Sequence, residues 1–118
     1  MNSLLKKGCY IDSETVVFNK KAAKDIGLFN EKYKYILDYD FFIKMGEKYN
    51  LYCNKSILSK WRIHDQQATN KMYAINLKEH LDLYYNKIID RDIKINIRLI
   101  LLLKYIKVFF KQKKLRAI

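Results

Sequence analysis

The sequence predicts an α/β fold, short strands and helices followed by a helical, basic C-terminal extension. Three observations carry this. The β-branched run Thr15-Val16-Val17-Phe18 reads as a buried strand. Two further short strands, residues 51–53 and 57–62, flank an Asn54-Lys55-Ser56 turn. Elsewhere apolar residues recur at helical spacing, most regularly at Leu77, Leu81, Tyr84, Tyr85 and Ile88.

Taken in order, residues 10–18 alternate loosely and end in the predicted strand. Asn19, whose side-chain oxygen can accept first-turn N–H groups, caps a short helix over residues 20–26 with Ala22, Ala23 and Ile26 on one face. Gly27 ends it, being free to adopt a left-handed conformation. Residues 28–36 read as a surface segment anchored by Phe29, Tyr33 and Tyr35. Asp38 is a suitable N-cap for a helix reaching about Lys48, with Phe41, Phe42 and Met45 as its apolar stripe. The predicted strand pair follows, then helix from about Ala68, a break near Asp90-Arg91-Asp92, and a last amphipathic helix over residues 93–113. Two domains result: residues 1–70, and the extension 71–118.

Composition bounds the function. The chain has 118 residues, half of them hydrophobic, which suits a globular rather than a disordered protein. Its longest apolar run, residues 99–103, is stopped by Lys104, too short to cross a bilayer. Residues 1–7 lack the apolar core of a secretion signal, and Cys9 and Cys53 have no metal or disulfide spacing, so two reduced thiols in a cytoplasmic protein are expected. Net charge is +12. Residues 91–118 hold nine bases against one acid, a balance of +8, which suggests a polyanionic partner.

Several residues could carry chemistry. Asp38 and Asp40 lie at a helix start, where first-turn N–H groups and the helix dipole favour a carboxylate. Two such acids either cap the helix or form an acid–base or sugar-hydroxyl site, with Tyr35, Tyr39 and Phe41 as cleft walls. Arg62 can bind phosphate bidentately or pair with Asp38 or Asp40, and Trp61 beside it suits a core position. His64 can bind a metal or move a proton, or lie in a strand-exit loop. His80, beside Glu79 and near Asp82, reads as solvent-facing.

Three stretches occur in order: Ile26-Gly27-Leu28-Phe29-Asn30-Glu31, Leu37-Asp38-Tyr39-Asp40, and Trp61-Arg62-Ile63-His64. In this order, with 26 residues from Asp38 to His64, they resemble the acceptor-side part of a family 2 glycosyltransferase of the GT-A fold. Leu28 stands where a second glycine is common, Asn30 where aspartate is, and Leu37 where the motif has its first acid. The resemblance implies that Asp38 is the general base that takes the acceptor hydroxyl's proton. It implies that His64 joins a divalent metal, Mg or Mn, on the donor diphosphate. Arg62 would steady the same phosphates, while Gly27, Asp40 and Trp61 would belong to the substrate site.

The family's nucleotide-binding half, with its Asp-x-Asp motif, does not precede these stretches. Asp12-Ser13-Glu14 is in the wrong place to replace it. The resemblance therefore implies a partial enzyme, inactive without a complementary N-terminal half. Its partners would be a nucleotide-sugar donor and a glycan or lipid-linked acceptor, as in cell-surface polysaccharide synthesis. The final helix, with Ile97, Leu101, Tyr105 and Val108 on one side and lysines on another, either packs on its own domain or lies on an anionic membrane at its inner face. The alternative is a small basic module that binds nucleic acid or is purely structural. Nucleic acid is the less favoured partner, because no recognised motif accompanies the charge.

Overall fold

The computed structural model describes residues 2–60, 62, 67 and 71–116. Among them every regular element is helical: α1 (Asn2–Lys7), α2 (Lys20–Asp25), α3 (Leu37–Lys48), α4 (Tyr73–Ile89) and α5 (Ile95–Arg116), with a 3-10 turn at Ser13–Thr15. This corrects the expected α/β, partial GT-A fold, since no described residue is in a strand.

The physical reason lies in the three segments that were expected to pair. Val17 is 99% exposed, Tyr52 91% and Ile57 93%. The backbone at Val16 is extended (φ −99°, ψ 130°), yet no described residue forms a strand beside it. A strand is stable only when another strand takes its N–H and C=O groups. β-Propensity reports how a side chain fits a pleated, half-buried surface, and no such surface is offered here. The intervening turn does form, with the Ser56 amide donating to Asn54 Oδ1 at 2.9 Å.

The helices follow their sequence signals more closely. Asn19 caps α2, its Oδ1 accepting from the Lys21 and Ala22 amides at 2.8 and 3.4 Å. In α3, Tyr39, Phe41, Phe42, Ile43 and Met45 are buried. Leu77, Leu81, Leu83 and Tyr84 are buried on α4, whereas Tyr85 is exposed. The break before α5 is an Asx turn, the Asp92 amide donating to Asp90 Oδ1 at 3.0 Å. Arg98 Nη2 reaches back from α5 to the Asp90 carbonyl at 2.7 Å.

Sequence patterning gave no sign of α1. Leu4 and Leu5 are almost wholly buried, and α1 packs against α3 and α5. Two bonds fix it: the Tyr39 hydroxyl donates to the Leu4 carbonyl at 2.9 Å, and Lys104 Nζ to the Leu5 carbonyl at 2.8 Å. Burial pushes the Tyr39 phenol well above its ordinary value, so the hydroxyl remains a donor. The core joins these leucines to α3, Leu83 and Tyr84 of α4, and Ile93, Ile97 and Leu101.

Helix α5 has two apolar faces. Ile97 and Leu101 are buried, with Tyr105 and Val108 packed against the core, so the expected amphipathic side is turned inward. A second stripe, with Ile95, Leu99, Leu103, Ile106 and Phe110, is exposed. No described helix is long and apolar enough to cross a membrane.

Candidate functional site

Helix α2 ends in a Schellman turn. The Leu28 amide donates to the Ala23 carbonyl at 2.9 Å and the Gly27 amide to the Lys24 carbonyl at 3.1 Å. Gly27 takes φ +84° and Leu28 follows at φ +58°. A left-handed conformation is costly for a side chain with a Cβ, so Leu28 sits at a position that a glycine would occupy with less strain. Gly27 is exposed, and its described role is backbone geometry. The ring of Phe29 then stacks on Phe41 of α3, with centroids 4.4 Å apart, and Phe18 packs on the same ring at 5.0 Å.

The chain reverses at Asn30, whose Oδ1 accepts from the Lys32 amide at 3.1 Å, and arrives at α3 under the control of α4. Buried Glu79 accepts three backbone bonds there: Oε1 from Lys34 at 2.7 Å, and Oε2 from Tyr35 at 2.8 Å and Ile36 at 3.1 Å. One turn along α4, Asp82 pairs with Lys32 at 2.8 Å and accepts from the Tyr33 hydroxyl at 2.7 Å. Desolvation works against the Asp82 carboxylate, but its bonds from Lys32 and Tyr33 prevail and hold its pKa low. At the other end of α3, Lys87 pairs with Glu47. Glu79 and Asp82 were not identified as functional residues from sequence, because the partners they hold beside α3 lie more than 40 residues away.

This clasp displaces the expected cap. The N-cap residue of α3 is Ile36, and no side-chain cap bond is made from within the segment. Asp38 sits inside the first turn and accepts the Tyr39 amide at 2.7 Å. It is half-buried. Desolvation pushes the Cys9 thiol up, and the charges of Asp38 and Asp12 add to the effect. Both cysteines are free and exposed.

Asp40 has a different setting. It is buried, and Lys44 Nζ lies 2.7 Å from Oδ2, off the line of a hydrogen bond, so charge rather than directed bonding holds the pair. Arg62 is exposed, and its carbonyl accepts from Gln67 Nε2 at 3.2 Å. Trp61 and His64 lie outside the described residues. Among those described, no three His, Cys, Asp or Glu side chains are grouped to hold a metal, so they do not by themselves fit the divalent ion that the motif resemblance implies.

Two expectations about aromatic and histidine side chains are corrected. Tyr39 and Phe41 are 1% and 0% exposed, so they build the core rather than the walls of a sugar cleft. His80 is not solvent-facing: it packs between Tyr39 and Tyr84, with ring centroids at 5.8 and 5.5 Å, and its Nδ1 lies 3.0 Å from the Asn76 carbonyl. Burial holds its pKa low, and Lys104 lowers it further against the Asn76 bond.

Asp38 is thus a half-buried carboxylate on a firmly held helix start, an arrangement able to accept a proton. No family model and no solved structure matches the chain. The curated proteins to which it is similar include an uncharacterized glycosyltransferase of Rickettsia prowazekii, 38% identical over 78 residues, which cover 65% of this chain and 22% of that protein. An uncharacterized glycosyltransferase of Rickettsia typhi is 36% identical over 75 residues, 64% of this chain and 21% of that protein. The chain spans about a fifth of the length of these curated relatives, and its sequence is related to glycosyltransferases.

Proposed function

We propose that this chain supplies the acceptor side of a family 2 glycosyltransferase, with Asp38 as the general base. The supporting observation is the similarity to the two rickettsial proteins, joined to the position of Asp38 in the first turn of α3. A sugar hydroxyl becomes a competent nucleophile when a carboxylate within hydrogen-bond reach takes its proton as it attacks the anomeric carbon. In this reading the clasp by Glu79 and Asp82 is what holds that carboxylate in place.

The donor is a nucleotide sugar and the acceptor a glycan or a lipid-linked hydroxyl. Arg62 contributes a phosphate contact, Gly27, Asp40 and Trp61 belong to the substrate side, and His64 contributes to a divalent metal together with ligands outside the described residues. A separate or preceding nucleotide-binding half completes the site. The outward stripe of α5, flanked by lysines, supports peripheral contact with an anionic membrane at its inner face.

The test is transfer of labelled sugar by the chain expressed with the reading frame immediately upstream. Asp38→Asn is expected to lower transfer by about a hundredfold or more while donor binding is kept. Undiminished transfer would refute the assigned base.

A further inference from the structure

Where α1, α4 and α5 meet there is an open cavity of about 360 Å³, lined by Lys7, Lys104, Lys107 and Lys111 and by His80 and Tyr84. No carboxylate lines it. None of the four lysines forms an ion pair among the described residues. Lys104 is the most constrained: it donates to the Leu5 carbonyl and lies 5.8 Å from the Tyr84 ring centroid. Desolvation lowers its pKa, as expected for a cation packed without a counter-charge. The first turn of α4, with Tyr73 and Asn76, lines the same cavity; it contains no acid and no side-chain cap. The positive end of that helix dipole therefore adds to the lysine field.

We propose that this cavity is a binding site for a phosphate-ester group. Four ammonium groups, each with three donors, suit an anion with several oxygens. The His80 and Tyr84 rings offer apolar surface to whatever the phosphate is attached to. The site stands on the convergence of α1, α4 and α5 and does not depend on the glycosyltransferase reading. The phosphate can belong to a soluble diphosphate or to a lipid headgroup, since Lys107 and Lys111 also border the outward stripe of α5.

The experiment measures binding of the full chain to inorganic pyrophosphate, and to phosphatidate-containing vesicles against neutral phosphatidylcholine vesicles. Lys107→Gln/Lys111→Gln removes two exposed lysines that make no described bond, and so spares the α1 contact made by Lys104. Lys113→Gln/Lys114→Gln removes the same charge outside the cavity. Saturable binding of either phosphate probe, weakened about tenfold or more in the cavity variant and much less in the control, supports the site. Which probe binds identifies the source of the phosphate. A bound phosphate should also raise the His80 pKa, followed by NMR of its ring protons. Equal losses in the two variants, no saturable binding, or an unmoved His80 would overturn the proposal.

Discussion

Helix α3 and the segment of residues 50–60 contain the same kinds of side chain and treat them oppositely. Ile43 is 0% exposed and Ile57 93%; Tyr39 is 1% exposed and Tyr52 91%. Neither stretch lacks apolar residues. Helix α3 satisfies its own backbone, so its apolar side chains can be buried wherever α1, α4 and α5 offer a surface. Among the described residues, the 50–60 segment has no partner strand for its backbone, and most of its side chains are exposed. Burial is therefore decided by what the rest of the chain brings to a segment, more than by the segment's hydrophobicity.

This contrast can be broken by experiment, and the largest effect lies in the core. Phe41→Ala should cost about 4 kcal/mol through lost transfer and the cavity left behind, read from urea unfolding. Next is the clasp: Glu79→Ala removes the acceptor for three amides beside α3 and should cost about 3 kcal/mol. Glu79→Gln, which keeps one carbonyl acceptor, should cost less. A Glu79→Ala protein as stable as the parent would show that α3 is held by its apolar face alone.

Smaller effects sharpen the comparison at the backbone. A Cβ on Gly27 would meet nothing within 4 Å, so Gly27→Ala tests the left-handed conformation by itself and should cost about 1 kcal/mol. Leu28→Gly relieves the same strain, offset by a more flexible unfolded chain, and should be neutral or stabilising by up to about 1 kcal/mol.

His80 adds a dependence on pH. Its folded pKa lies below the ordinary 6.5 because of burial first, and then Lys104. The unfolded chain therefore binds the proton more readily, and stability must fall on acidification. The contribution is full above pH 6.5 and is lost as pH falls through the lowered folded value. Tyr39, Tyr84, Lys104 and Glu79 surround the ring or act on it. His80→Gln should flatten the stability–pH curve in this window, while the acid-side loss from Asp82 remains.

The smallest expected effect returns to the exposed segment. Ile57→Ser and Tyr52→Ser should change stability by no more than about 0.5 kcal/mol, measured by thermal melting. A large loss from either would mean that this segment has a covering surface after all.

The local capping and helix signals were legible from sequence because they involve neighbours within a few residues. Asn19 as a cap, Gly27 as a left-handed stop and the apolar stripe of α3 are of this kind. The break before α5 is another. Helix α1 was not legible, since Leu4 and Leu5 are too short a pattern to show a period. Within the candidate site, the position of Asp38 near a helix start could be read, but the residues that hold that start could not. Glu79 and Asp82 carry no signal in the sequence beyond their place beside His80, and only contacts across more than 40 residues of chain bring them to the start of α3.

By itself the sequence determined where backbone groups are satisfied locally, by an asparagine side chain, a left-handed glycine or the next helical turn. It also determined the basic charge of the tail and the ordered stretches from Gly27 to His64 that resemble glycosyltransferase motifs. Only the tertiary structure decided which apolar segments find a surface. Among the described residues it left the strand-like segments unpaired, turned one face of α5 inward and the other out, and gathered four lysines around a cavity without a carboxylate. Strand pairing and burial require a partner distant in the chain, whereas a helix and its caps need only their neighbours.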